Sequence, residues 1–299
     1  MPFRDERATG NERLYLERLA DRDLALLASA TGGFRRVAEG VERLRSDPAR
    51  IGHLLDSPEV FDALFAPWTE PASQPLAVAG PFLVFSVLLA GTARQLASRS
   101  FVREWIGPRE RIPVFDVQPL RGFLDDAGRR IFLADLLASY TRVASGAVWI
   151  HDRRGWSKRR FSDLDPVRLL SLLDVVSESE RAGVYRRLGD VALFLSGVFP
   201  DFVSRRLFGP VQAERLERAL AATPRSAGVP EEAPGAIGLL ERFGRGAYSV
   251  VLAHTPHPRI DLGRALEEVT ERFADARRVL NVLTDTHLFP NRAEWFPLP

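Results

Sequence analysis

The chain contains no cysteine, and its single methionine is residue 1. A disulfide framework, an iron–sulfur cluster and a cysteine nucleophile are therefore excluded, and so is a methionine-rich adaptable surface. Lysine is almost as scarce, because Lys158 is the only lysine among 41 basic residues. A GC-rich coding sequence accounts for this preference for arginine. Arginine content alone is therefore weak support for a binding site.

The familiar catalytic motifs are also missing. The sequence has no P-loop, no G-x-G-x-x-G after a strand, no GxSxG and no HExxH, and it has no repeat of fixed period. Its first residues are charged throughout and lack the apolar core of a signal peptide. We therefore expect a cytoplasmic protein that needs no cofactor. Whether the protein is an enzyme is left open, and a non-enzymatic role is favoured.

Charge is distributed unevenly along the 299 residues. Residues 1–70 carry 10 basic and 13 acidic side chains, residues 71–160 carry 14 and 7, and residues 161–299 carry 17 and 19. Only the middle segment is net positive, at +7. Such a field attracts phosphates or an acidic protein surface.

One long apolar run, residues 71–93, has no charged side chain. Gly80 and Pro81 interrupt it, and the remainder is about the minimum length for crossing a bilayer. Proline is common in the first turn of a helix. We therefore predict a buried helix that starts at Pro81 and continues to Ile106, and no membrane span.

The rest of the pattern is mainly helical. Start signals are Pro58 after Ser57, Pro166 after Asp165, and the capping-box pair Ser177 and Glu180. After Asp261, apolar residues at steps of three and four predict one long helix, whose stripe is better explained as core than as an oligomer seam. The stripe comprises Leu262, Ala265, Leu266, Val269, Phe273, Ala276, Leu280 and Leu283.

The predicted fold class is a mainly α, compact multi-helix domain with one small β-hairpin at about 147–161. Residues 1–222 form a helical domain that includes the hairpin, and residues 223–236 form a Pro-rich linker or mobile loop. Residues 237–299 form a C-terminal helical segment that packs on the first, with a single domain as the alternative. The oligomeric state is left open.

The hairpin follows from β-prone residues on both sides of a turn, "DRRG". With a three-residue loop, Asp152 faces Trp156 and Val148 faces Arg160. This register predicts Trp149 and Phe161 as anchors that face the core together.

The same hairpin holds the candidate contact residues, which combine five cations with a tryptophan. They could bind a phosphate backbone and stack on a base; alternatively, they are a solvated edge that resists pairing with other chains. The residues are Arg153, Arg154, Trp156, Lys158, Arg159 and Arg160. Five nearby arginines support binding only if the fold brings them to the same face: Arg94, Arg99, Arg103, Arg109 and Arg111.

A weaker hypothesis places a metal among C-terminal residues. His254 and His257 have ligand spacing, and Asp285 and His287 could join them if the chain folds back. Scattered surface histidines are the more common outcome.

Three aspartates stand in apolar surroundings: Asp190, Asp116 and Asp135. For each, a structural ion pair is favoured over a catalytic acid, and for Asp190 the expected partner is Arg186 or Arg187.

Three functions remain. The first is a non-enzymatic interaction protein that contacts nucleic acid or an acidic protein partner through the central basic segment. The second is a metal-dependent enzyme with a site assembled from the C-terminal histidines and Asp285. The third is a scaffold subunit of a larger assembly, with residues 71–93 or the "EWFPLP" tail as the docking surface, although the tail is expected to pack on its own core.

Overall fold

A computed structural model describes the chain with ten internal gaps. The described residues are 6–30, 36–65, 75–107, 110–142, 145–152, 155–162, 164–207, 210–221, 235–254, 260–289 and 291–296. Within them, the backbone alone is described at 6–9, 106–107, 145–152, 155–162, 206–207, 210–212, 219–221 and 260–262. The predicted linker, residues 223–236, lies almost wholly outside the described residues.

These residues form seventeen α-helices and two antiparallel two-stranded sheets. The helices are α1 (Glu6–Arg18), α2 (Asp21–Ala30), α3 (Val37–Ser46), α4 (Ala49–Leu55), α5 (Pro58–Phe65), α6 (Pro75–Val78), α7 (Pro81–Ser98), α8 (Gln118–Leu124), α9 (Ala127–Tyr140), α10 (Pro166–Leu170), α11 (Glu178–Val198), α12 (Pro200–Phe202), α13 (Pro210–Ala221), α14 (Gly235–His254), α15 (Ile260–Glu271), α16 (Phe273–Leu283) and α17 (Arg292–Trp295). The strands are β1 (Val102–Gly107), β2 (Glu110–Val114), β3 (Ser145–Asp152) and β4 (Gly155–Ser162). A 3₁₀ turn spans Ser171–Asp174, and π-helical turns span Val203–Leu207 and Thr284–Leu288.

The predicted fold class, mainly α with a small hairpin, is confirmed. Its helix starts also follow the predicted signals. Asp165 accepts hydrogen bonds from the backbone N–H groups of Val167 and Arg168 at the start of α10, both at 3.1 Å. Ser177 and Glu180 form the capping box of α11. These caps satisfy amide donors that the first helical turn leaves without partners.

The chain divides into two structural units, each assembled from separate segments. Unit 1 comprises residues 1–100, 116–141 and 282–296, and unit 2 comprises residues 101–115, 142–281 and 297–299. Each unit is discontinuous because helices far apart in the chain pack together, and the domain limits expected from the sequence remain a prediction.

Unit 1 is built around α7, which packs against α5, α8 and α9. It is the one described helix whose length and composition would allow it to cross a membrane. All of its residues from Phe82 to Thr92 are buried within the protein. The long apolar run is thus a core helix in this structure, and the described residues show no clear membrane span.

The C-terminal aromatic residues also belong to the core of unit 1. Trp295 is 3% exposed and Phe296 is 1% exposed. The Phe296 ring stacks on Phe85 of α7, with centroids 5.5 Å apart and planes 10° apart. The expectation that this tail packs on its own core is confirmed for these two residues, while Leu298 lies outside the described part of the chain.

Unit 2 is built around the pair α11 and α14. A Cβ at Gly189 would lie 2.3 Å from the ring of Tyr248, so glycine permits this close approach of the two helices. The helix predicted after Asp261 is two helices, α15 and α16, separated by Arg272. The members of its apolar stripe whose side chains are described, Ala265 to Leu283, are buried, as expected for core positions.

One helix boundary was predicted wrongly. α7 ends at Ser98, and the residues predicted to continue it form β1 instead. Val102 and Trp105 suit either a strand or a helix, and Gly107 begins a turn that returns the chain as β2. The structure therefore contains a second hairpin, β1–β2, that the sequence analysis did not predict.

Replacing Phe296 with Ala should destabilise unit 1 by about 3–5 kcal/mol, because it removes a buried ring stacked on Phe85 and leaves a cavity. Urea unfolding followed by far-UV circular dichroism measures this loss. Phe289→Ala is the matched control, because Phe289 is 59% exposed and its replacement should change stability by no more than about 0.5 kcal/mol. Equal losses for the two variants would contradict the packing described for the tail.

Candidate nucleic-acid interface

The predicted hairpin is present as β3 and β4, but its register differs by one residue from the prediction. Asp152 pairs with Gly155, so the loop has two residues, 153 and 154, where three were predicted. Val148 consequently lies opposite Arg159. Gly155 was assigned to the loop because glycine tolerates a left-handed backbone, yet it is the first residue of β4.

A slip of one residue exchanges the two faces of a strand. In the observed register Trp149 lies opposite Lys158, and His151 lies opposite Trp156. Positions 149 and 161 then fall on opposite faces of the hairpin, so the prediction that Trp149 and Phe161 anchor one face together is wrong.

For the predicted contact residues, the structure supplies backbone positions only. Trp156, Lys158, Arg159 and Arg160 lie on β4, which packs against α10, and the register is all that is described of them. Arg153 and Arg154 lie outside the described residues. A role in binding for these six residues remains a prediction.

The unpredicted hairpin, β1–β2, is described in more detail. Val102 pairs with Val114, Arg103 with Pro113, and Trp105 with Arg111. An irregularity in the ladder between Trp105 and Gly107 marks a bulge near the turn. Because opposite residues of an antiparallel pair share a face and successive residues alternate, the two faces have different chemistry.

One face of β1–β2, here called the aromatic–arginine face, comprises Phe101, Arg103, Trp105, Arg111, Pro113 and Phe115. The guanidinium of Arg111 lies 3.9 Å from the ring centroid of Trp105, which is 8% exposed. Such a contact is a cation–π interaction.

Next along this face, Arg103 and Pro113 are exposed. At the open end of the hairpin, the rings of Phe101 and Phe115 lie 5.7 Å apart and are 41% and 71% exposed. Water thus reaches the part of this face where the two phenylalanines adjoin Arg103, whereas Trp105 is buried.

The opposite face of β1–β2 binds the interior of unit 2 through Glu104. Its carboxylate accepts a 2.7 Å hydrogen bond from Nη2 of Arg277 on α16. The second oxygen lies 3.3 Å from Nε of Arg278. The one acidic residue in the described part of β1 is therefore neutralised by two arginines.

Arg277 is the centre of a buried ionic cluster. It is 1% exposed, and its Nε donates to Glu241 of α14, which is 0% exposed. Its Nη1 donates to Asn281 at 2.9 Å, and Asn281 in turn donates to the backbone carbonyl of Gly197 on α11 at 2.7 Å. Burial alone would lower the pKa of Arg277, but the carboxylates of Glu241 and Glu104 outweigh it and raise that pKa above its ordinary value.

The five nearby arginines serve different purposes. Arg103 and Arg111 lie on the aromatic–arginine face. In unit 1, Arg94 donates to the backbone carbonyl of Asp56, and Arg99 donates to Thr286 at 3.4 Å. Arg109 lies outside the described residues. The fold thus brings two of the five to one described face.

The metal hypothesis requires several ligands to lie close together. Among the described residues, no group of three or more His, Asp or Glu side chains could hold a metal ion. His254 is exposed at the end of α14, and His257 lies outside the described part of the chain. The His287 ring packs 5.8 Å from that of Phe61. Burial, followed by the charges of Arg99 and Arg94, lowers the pKa of His287 to about 4. Two cations beside an imidazole disfavour a metal ion there.

Two of the three aspartates form the expected ion pairs. Asp190 accepts hydrogen bonds from Arg186 at 2.9 Å and from the hydroxyl of Tyr248 at 2.7 Å. Asp135 pairs with Arg18 at 2.5 Å. Asp116 is exposed between β2 and α8, and its ion pair remains a prediction.

The buried cluster was not predicted from the sequence, although a local signal for it was present. Glu241 stands within the apolar run "IGLLERF", and it shares one face of α14 with Arg245 and Tyr248 at steps of four and three. Arg277 and Asn281 have the same spacing on α16. Polar residues on a face that also carries core residues predict a buried polar network.

Comparison of the chain with protein-family models, with curated proteins and with solved structures finds no match.

Replacing Glu241 with Gln should lower the free energy of unfolding by about 3 kcal/mol, because Arg277 then stays buried with one carboxylate fewer. Glu214→Gln is the matched control: Glu214 also pairs with an arginine, at 2.6 Å, but is 61% exposed, and its loss should cost less than about 1 kcal/mol. Urea unfolding of both variants measures the difference. A Glu241 variant as stable as its control would contradict a cluster that supports the fold.

His287 should make the protein less stable in mild acid. Its pKa in the folded chain, about 4, lies below the ordinary value of 6.5 that applies in the unfolded chain, so the unfolded chain takes up the proton first. The free energy of unfolding therefore falls as the pH drops from about 6.5 towards 4, by about 2 kcal/mol between pH 7 and pH 5.

His287→Leu should remove this contribution, whereas replacement of the exposed His53 with Leu should leave it. Urea unfolding at the two pH values tests both variants. The same loss in wild type and in the His287 variant would contradict the assignment.

Proposed function

We propose that the protein is a non-enzymatic nucleic-acid-binding protein that acts in the cytoplasm through its central basic segment, residues 71–160. The observation that carries the proposal is the aromatic–arginine face of β1–β2, where Arg103 is exposed next to the exposed rings of Phe101 and Phe115. Arginines contact phosphates, and aromatic rings contact bases. Both kinds of group are present on one side of a two-stranded ribbon.

The second hairpin supports the proposal through its register. In β3–β4, Trp149 lies opposite Lys158, and Ala147 lies opposite Arg160. Aromatic and basic residues therefore occur across the strands in both hairpins. Both hairpins belong to unit 2 and to the only net-positive third of the chain.

The distribution of negative charge is also favourable. The carboxylate of Glu104 is bound by Arg277 and Arg278 on the face of β1–β2 opposite the proposed contact face. It therefore repels a phosphate less than an exposed carboxylate would. Glu110, at the turn of this hairpin, is exposed, so the favourable field comes from the segment as a whole.

The environment of the best acidic candidates favours binding over catalysis. Asp190 and Asp135 each accept a hydrogen bond from an arginine, and Asp190 also accepts one from a tyrosine. Paired carboxylates of this kind contribute to structure. They do not match the requirements of a general acid or base.

The proposal predicts binding to a labelled oligonucleotide that weakens steeply as salt rises, because each phosphate contact releases counterions. Replacing Arg153, Arg154, Arg159 and Arg160 with Ala should weaken binding by about tenfold or more at moderate salt and should reduce the slope of log Kd against log salt. Fluorescence anisotropy measures both quantities. The melting temperature should not change.

The control variant removes the same charge elsewhere, by replacing with Ala the exposed residues Arg43, Arg45, Arg50 and Arg218. It should bind nearly as wild type does. Salt-insensitive binding, or an absence of binding to any oligonucleotide at low salt, would overturn the proposal. Binding to polyglutamate that is as tight as binding to DNA would instead favour an acidic protein partner.

A further inference from the structure

We infer that the aromatic–arginine face of β1–β2 binds single-stranded nucleic acid by stacking an unpaired base on the Phe101–Phe115 pair. This inference rests on the proposed function and narrows it to a strand type and to a contact that the basic residues alone do not supply. It depends on how three successive pairs of residues are placed across the two strands.

The first pair of residues is an exposed aromatic pair. Phe115 is 71% exposed, the largest value among the exposed large apolar side chains of the described residues, and Phe101 beside it is 41% exposed. Their ring centroids lie 5.7 Å apart with planes at 50°. The two rings support each other and still leave apolar ring surface in water.

The second and third pairs of residues supply positive charge next to these rings. Arg103 follows Phe101 on the same face and lies opposite Pro113, and both are exposed. Arg111 comes next and covers Trp105 at 3.9 Å. Residues two apart on a strand are about 7 Å apart. An arginine therefore stands within one step of the exposed rings, where it can reach the phosphate beside a stacked base.

The hairpin is held so that this face stays outward. Glu104, between Arg103 and Trp105 in sequence, is bound from the other side by Arg277 and Arg278. Arg277 itself is buried and bound to Glu241. The ribbon is therefore attached to the core of unit 2 through Glu104, and the exposed residues of the aromatic–arginine face remain open to a partner.

This composition favours a single strand over a duplex and over an apolar protein surface. Every base has a flat π-face, but in a duplex that face is covered by the neighbouring base pairs, whereas an unpaired base can stack on a side chain. An apolar protein segment would not use the exposed charge of Arg103. Phosphates adjoining the stacked base would use it.

The test compares three labelled probes by fluorescence anisotropy at one salt concentration: an oligothymidylate, the same strand with its central bases removed, and a duplex of equal length. The wild-type protein should bind the intact strand most tightly. Replacing Phe101 and Phe115 together with Ala should weaken its binding by about tenfold or more. Binding of the abasic strand and of the duplex should change less than about twofold, and the salt slope should be unchanged.

Two further variants separate stacking from other effects. Replacing both residues with Leu keeps apolar bulk without aromatic rings and should lose as much affinity as the Ala variant. Phe289→Ala removes an exposed phenylalanine of unit 1 and should leave affinity unchanged. Thermal melting checks that each variant is folded, as expected because both rings are exposed.

The outcomes distinguish this inference from the proposed function. An absence of binding to all three probes overturns both. One contrary outcome is salt-dependent binding that is unchanged in the Phe variants. Another is a loss of affinity in these variants that is equal for the intact and abasic strands. Either outcome is consistent with the proposed function and overturns base stacking. Wild-type affinity of the Leu variant for the intact strand would show that the face acts by burial of apolar surface. This outcome also overturns base stacking.

Discussion

The ionic cluster around Arg277 is the interaction on which the rest of unit 2 depends. One guanidinium joins Glu241 of α14, Glu104 of β1 and, through Asn281, the backbone of α11. A buried charge is costly unless it is paired and hydrogen-bonded, so β1, α11 and α14 must stay in place around α16 for Arg277 to remain buried. Replacement of a buried ion pair by apolar side chains often costs little stability. Stability alone therefore does not explain why this cluster is present. A role in fixing the position of the hairpin explains it better.

This constraint explains how a two-stranded hairpin persists beside helices. A hairpin of two strands is marginally stable alone. β1–β2 receives support from the ion pairs of Glu104 on one face and from the buried side chain of Trp105 on the other, while Phe101, Arg103 and Phe115 stay exposed. Successive residues of β1 thus have different environments: Arg103 is exposed, Glu104 binds the core, and Trp105 is buried beside the guanidinium of Arg111.

Local signals in the sequence predicted much of the helical structure. The caps at Asp165 and Ser177, the start of α7 at Pro81 and the burial of that helix depend on neighbouring residues, and each is confirmed. The hairpin at 147–161 was also predicted, but not its register. A turn sequence such as "DRRG" is compatible with loops of two or three residues, and that single residue decides which side chains share a face.

Features that depend on distant residues were not predicted. Glu104 is 173 residues from Arg277, and no periodicity within either segment links them. The hairpin β1–β2 was missed for a related reason: "FVREWI" fits a helical continuation of α7 as well as a strand, and what supports the strand is a contact made much later in the chain. Of the candidate surface, the sequence identified the basic segment, whereas only the fold showed that Phe101 and Phe115 meet.

Because successive residues of β1 lie on opposite faces, the position of a substitution determines whether a loss of binding has one cause or two. A change at Glu104 removes a partner of a buried arginine and disturbs the position of the whole ribbon, so any loss of binding would have two causes. A change at Phe101 or Phe115 removes exposed ring surface and leaves the ionic cluster intact. The ion pairs of Glu104 and the proposed contact residues Phe101 and Phe115 therefore lie on opposite faces of the same two strands. Substitutions at Phe101 and Phe115 report on the partner alone, because Glu104 continues to hold the ribbon against Arg277 of α16.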